Sequence, residues 1–121
     1  MAAGDFQLPV LSFSTSGRPI AVAATASAGT QIHTAQSGST GVDVVTIYAT
    51  NIDTVARTLT IQWGGTGTSD QLGPITIGAN RGAVLVADRQ FLQGGLTIRA
   101  YADVANVINL TGGVSRYTST A

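Results

Sequence analysis

Between Asp43 and Asn51 the chain alternates strictly: Val45, Ile47 and Ala49 fall on one side, Val44, Thr46, Tyr48 and Thr50 on the other. A two-residue period of this kind places one set of side chains on each face of a β-sheet. The pattern returns after Arg57, where Leu59, Ile61 and Trp63 oppose Thr58, Thr60 and Gln62. Asn51-Ile-Asp53-Thr-Val55 supplies a polar turn between the two runs, so the spacing predicts an antiparallel hairpin. Further strands are expected near Ile75 to Ile77, Ala83 to Ala87, Leu96 to Ala102 and Asn106 to Val114, and Gln31-Ile-His-Thr34 opens the series. Gly78 to Gly82, Gln93-Gly-Gly95 and Gly112-Gly113 punctuate them at short intervals, and no segment holds a helical period. The expectation is an all-β fold, an antiparallel β-sandwich of jelly-roll type, with Val45, Ile47, Leu59, Ile61, Trp63, Leu85, Ile98 and Ile108 inside.

The first 28 residues read differently. Phe6, Leu8, Val10, Leu11 and Phe13 stand in an extended stretch broken by Pro9, and Pro19 interrupts the next one. Proline is confined to edges and bulges of sheets. Residues 1–28 are therefore expected to form edge strands or an arm ahead of a body at residues 29–121. Large apolar side chains on such a segment are satisfied when a partner covers them, so these five, with Arg18, are candidate partner contacts. On this reading, removing residues 1–17 leaves a folded sandwich. The run from Arg18 to Ala28 imitates a secretory leader core. It lacks a basic stretch before it, and Pro and Thr interrupt it, so a strand is expected instead.

Composition sharpens the picture. All six basic residues are Arg, all six acidic residues are Asp, and there is no Lys, Glu or Cys in 121 residues. Losing Lys and Glu removes common helix-surface residues, which agrees with an all-β chain. Charged residues make up only 10% of the chain and the formal net charge is zero. A surface so poorly charged resists association weakly, and without Lys the usual defence of exposed strand edges is missing. Either Thr, Ser, Gln and Asn cover the outside, or much of it lies against other subunits. Scattered Arg without clusters argues against nucleic acid as a partner. No apolar run approaches the ~20 residues of a membrane helix, so no membrane contact is expected.

Candidate chemistry is sparse. His33 has no Cys or acidic neighbour at ligand spacing, and the plain expectation is a hydrogen-bonded strand histidine. A Ser-His-Asp set could form only through the fold, because no nucleophile-elbow motif is present. The glycine-rich Gly64 to Asp70 segment lacks the Lys-Ser/Thr ending of a phosphate loop and is read as a hairpin loop. Asp53 and Asp70 do not sit in loops with alternating oxygen ligands, so no metal or other cofactor is expected. Trp63 continues a core face. Tyr48, Tyr101 and Tyr117 are open as interface anchors, or as a glycan platform should they share one patch.

The strands Gly29-Thr-Gln-Ile-His-Thr-Ala35, Val44-Val-Thr-Ile-Tyr-Ala-Thr-Asn51, Arg57-Thr-Leu-Thr-Ile-Gln-Trp-Gly-Gly65, Gly82-Ala-Val-Leu-Val86 and Leu96-Thr-Ile-Arg-Ala-Tyr-Ala102 resemble those of small β-sandwich virion proteins of tailed bacteriophages. The resemblance covers approximately residues 29 to 114. It implies a non-enzymatic head-decoration, or cement, protein, made in the host cytoplasm and carried on the capsid surface. Such a protein binds the major capsid protein, bridges neighbouring capsid subunits and works as a homo-oligomer, a trimer in the first instance. Tyr48 and Tyr101 would join the arm residues as contacts. The alternative is a glycan- or receptor-binding module of a tail or head fibre, with host glycan as its partner. The two separate on whether Tyr48, Tyr101 and Asp70 share a concave patch.

Overall fold

A computed structural model describes residues 5–118; the expected arm and body each extend a few residues outside that range, to 1 and to 121. Nine strands form among the described residues: β1 (Asp5–Gln7), β2 (Ile20–Ala21), β3 (Thr30–Thr34), β4 (Gly41–Asn51), β5 (Arg57–Trp63), β6 (Gln71–Ile77), β7 (Val84–Leu92), β8 (Thr97–Ala102) and β9 (Ile108–Thr118). Among the described residues the only helical element is a single 3-10 turn at Thr68–Asp70. All pairings are antiparallel. One sheet runs β1-β9-β4-β7, with β2 also on β9; the other runs β3-β8-β5-β6. The chain is an all-β sandwich, as its alternation requires.

The core lies between the sheets. Val45, Ile47 and Ala49 of one sheet face Leu59, Ile61, Ile98 and Ala100 of the other, joined by Ile32, Ile77, Ile108 and Leu110. β9 follows β4 through eleven consecutive pairs, from Gly41↔Thr118 to Asn51↔Ile108. Close approach of these two strands needs Gly112, where a Cβ would overlap the Thr46 carbonyl.

Three expectations are corrected. β4 and β5 do not pair as a hairpin: they lie in opposite sheets, and the 51–57 connection crosses the end of the sandwich. Asn51 holds that corner, its Nδ2 donating to the carbonyls of Val55, Ile77 and Gly78 while its Oδ1 accepts from the Asp53 amide. The hairpin is instead β5–β6, closed by the Gly64 to Asp70 loop. Leu85 is 46% exposed rather than core. Register slips between Val45/Ile47 and between Ile47/Tyr48 put extra β7 residues into the ladder, so Ala87 faces inward opposite Ile47 while Leu85 faces outward opposite Tyr48. This is the effect of a bulge on side-chain direction. Trp63 is partly buried at the core margin, its indole N–H donating to the Phe91 carbonyl.

The third correction concerns the arm alternative: the N-terminal segment takes the edge-strand form, the other expectation, and closes the sandwich rather than standing ahead of it. β1 pairs with the end of β9, Pro9 accepts from the Val114 amide, Phe13 donates to the Ile32 carbonyl on the other sheet, and β2 returns to β9. Leu11, Ile20 and Val22 enter the common core. The segment thus laces the two sheets along their open side.

Free edges are blunted without Lys. β6 carries Pro74, and β7 carries the Asp88–Arg89 ion pair beside its irregularity, with Arg89 in the left-handed region at φ 48°. Both devices oppose edge-to-edge pairing.

Candidate functional site

The fold brings Ser12, His33 and Asp43 together although 31 positions separate the outer two. Each arrives for a local reason. A register slip between Gln31 and His33 turns both Ile32 and His33 inward, so a histidine enters the space between the sheets. Asp43 sits on the inward face of β4 opposite its ladder partner Arg116 on β9. Ser12 comes from the lacing segment.

The contacts define the ring's state. The backbone N–H of Ser12 donates to His33 Nδ1 at 3.0 Å, so Nδ1 is an acceptor and the ring proton resides on Nε2, which donates to Asp43 Oδ2 at 2.7 Å. Arg116 grips the same carboxylate with Nε and Nη2, both at 2.8 Å, and Gln36 Nε2 reaches its Oδ1 at 3.3 Å. His33 and Asp43 are both almost wholly shielded from solvent. Burial pushes the His33 pKa below its ordinary value, outweighing the contrary pull of Asp43. For Asp43 burial acts upward, yet hydrogen bonds from Arg116 and His33 together hold its carboxyl below the usual range. The cluster is a neutral imidazole beside an ion pair, with no unsatisfied buried polar side-chain atom among the described residues.

The same contacts occupy the atoms a proton relay would need. Ser12 Oγ lies 2.9 Å from Nδ1, but that nitrogen's lone pair is shared with the Ser12 amide. The hydroxyl oxygen already accepts from the Thr34 amide at 2.7 Å. Asp43 is committed to a bidentate arginine. Neither surface depression described below includes Ser12 or His33. The arrangement clips the lacing segment to both sheets.

Loop carboxylates are similarly engaged: Asp53 accepts from Arg57 at 2.8 Å, and Asp70 Oδ2 accepts from the Gly67 amide. They stand in different loops.

The second feature is a surface. Outward positions of β4 from Val42 to Thr50 and of β9 from Asn109 to Tyr117 carry no charge. Phe6, Tyr117, Tyr48, Leu85 and Phe91 stand exposed on this sheet, with Leu8 and Val10 alongside. Along the arm a groove of about 370 Å³ runs between Leu8 and Val10 on one side and Val44 and Thr46 on the other, with Gly113 and Ser115 in its floor. A second, more apolar depression of about 430 Å³ is lined by Val42, Phe91, Leu92 and Leu96 at the β7 side.

The sequence-derived contacts divide accordingly. Phe6, Leu8, Val10 and Tyr48 gather on or beside this uncharged face. Leu11 is 1% exposed and belongs to the chain's own core, which removes it as a partner contact. Phe13 and Arg18 are exposed on the lacing segment, Phe13 beside Ile32 of the other sheet. Tyr101 is on β8, in the other sheet, near Gln71, whose Nε2 reaches its hydroxyl at 3.4 Å. Tyr48 and Tyr101 thus occupy opposite sheets, so Tyr48 stands apart from Tyr101 and Asp70 and the three do not form one patch. Phe91 and Leu85 were not legible as surface residues, because the β7 irregularities decide their direction. No family model, curated protein or solved structure matches this chain.

Proposed function

We propose that the protein is a non-enzymatic capsid decoration protein of a tailed bacteriophage, holding neighbouring capsid subunits together on the outside of the head. The observation that carries this reading is the uncharged, aromatic-bearing outer face of the β1-β9-β4-β7 sheet. An uncharged face carrying exposed aromatic side chains, on a chain with few charges, suits burial in a multi-copy assembly. Multivalent contacts on a lattice make individually weak attachments strong in sum. Separation of Tyr48 from Tyr101 and Asp70 takes away the platform that glycan recognition would use, which favours decoration over the fibre alternative. Engagement of His33 and Asp43 in structural contacts supports a non-enzymatic role.

The test uses heads purified without the protein. Added chain should sediment with them at a fixed stoichiometry and raise the temperature at which they release DNA. Absence of binding at saturating concentration would reject the reading, and retention on glycan-bearing host envelopes instead would favour the fibre alternative.

A further inference from the structure

We infer that the outer face of the β1-β9-β4-β7 sheet is a two-fold interface on which a second copy of this chain docks. Phe91 on β7 is the ladder partner of Val44 on β4, and Val44 is in turn the partner of Ser115 on β9. These residues form one row across the sheet, with Val44 in the middle. Phe91 projects on one flank, 68% exposed, and the groove floored by Gly113 and Ser115 opens on the other. Knob and hole are at the same level and on opposite sides of β4.

A two-fold axis lying in the interface along β4 exchanges left and right while preserving level. It therefore places the Phe91 ring of each copy over the other's groove. The next outward row obeys the same operation: Phe6 and Tyr117 project beside Val42 on the β9 side, and the depression lined by Val42, Phe91 and Leu96 lies on the β7 side. Isologous contacts require such self-complementarity, and aligned sheet faces pack with their strands nearly parallel.

Charge and area agree. β4 and β9 offer no outward charge, and Asp88 and Arg89 of β7 neutralise each other, so the face suits a partner that is itself uncharged there. At ~3.3 Å per residue and ~4.8 Å per strand, β1, β4, β7 and β9 together span roughly 540 Å², close to the ~600 Å² per partner at the lower end of stable interfaces. The pair would replace the trimer as the smallest unit. It shares with the decoration reading only the burial of this face.

The chain has no cysteine, which makes a direct test available. Phe91→Cys and Ser115→Cys variants of the full chain, mixed and oxidised, should form a disulfide-linked dimer far more than either alone, and Thr76→Cys on the opposite sheet should form none. Sedimentation equilibrium of the unmodified chain should show a concentration-dependent dimer, and Phe91→Asp should weaken it by at least ~30-fold, as for a buried aromatic anchor. Circular dichroism of Phe91→Asp must match the parent, and Val44→Arg provides a second disruption should it not. A monomer up to ~1 mM, the weak end of the affinity scale, a trimer, or equal cross-linking through Thr76→Cys would overturn the inference. Heads that bind a strictly monomeric chain would leave decoration standing and remove only the pairing.

Discussion

The backbone N–H of Ser12 donates to Nδ1 of His33 across 3.0 Å, and this contact between lacing segment and sheet exists only while the ring is neutral. Protonating Nδ1 would set two N–H donors against each other. The groups facing the ring are Asp43 of β4 and, behind it, Arg116 of β9.

Acid should therefore destabilise the fold in two stages. The His33 pKa is lowered by folding, so its contribution is complete above the ordinary histidine value of ~6.5 and is lost as pH falls from there through the folded value. Asp43 is lowered too, so its contribution is complete above ~4 and is lost on further acidification. Urea midpoints should be level above pH ~7 and fall below ~6.5, and His33→Asn should flatten the upper stage. A midpoint constant between pH 7.5 and 5 would refute the assignment.

Asp43→Asn should cost about 3–5 kcal/mol, because it leaves the Arg116 guanidinium without its carboxylate in a largely shielded site. The paired change Asp43→Leu with Arg116→Leu should recover a substantial part of that loss, since the desolvated charges leave together. Chemical denaturation of the two variants checks the difference.

Face assignment is tested by a contrast. Ile61→Ala opens a cavity between the sheets and should cost about 2–5 kcal/mol, while Leu85→Ala, on the outer face, should change stability by less than about 0.5 kcal/mol. Equal effects in denaturant titrations at low protein concentration would show that the outward turn of β7 is wrong.

Truncation separates the two parts of the lacing segment. Among the described residues, removing 1–9 deletes the β1–β9 edge pairing and the Pro9 contact with Val114, and should leave a cooperative thermal transition. Removing residues 1–17 also deletes Leu11 from the core and Ser12 from His33, and should lower stability by several kcal/mol, of which Leu11 alone accounts for about 2–5. Identical melting of both forms would mean that Leu11 contributes little to the core.

Strand alternation sufficed to place Val45, Ile47, Leu59, Ile61, Ile98 and Ile108 inside, because an uninterrupted strand has only two faces and one of them is apolar. It could not tell a hairpin from a corner. β4 and β5 show the same inward pattern whether they pair edge to edge or face each other across the core, and only the full set of ladders resolves the choice. Nor could it place Leu85 or His33, since a bulge changes which side a residue faces and leaves no mark on composition. Leu11 looked like a partner contact for the same reason: an apolar residue is equally satisfied by its own core or another chain's. Strand positions, fold class and scarcity of charge were legible in the chain itself, since they are local or compositional properties. Tertiary structure alone decided that Ser12, His33, Asp43 and Arg116 meet, and that Phe91 and the groove by Ser115 flank one strand, because both relationships depend on which distant strands become neighbours.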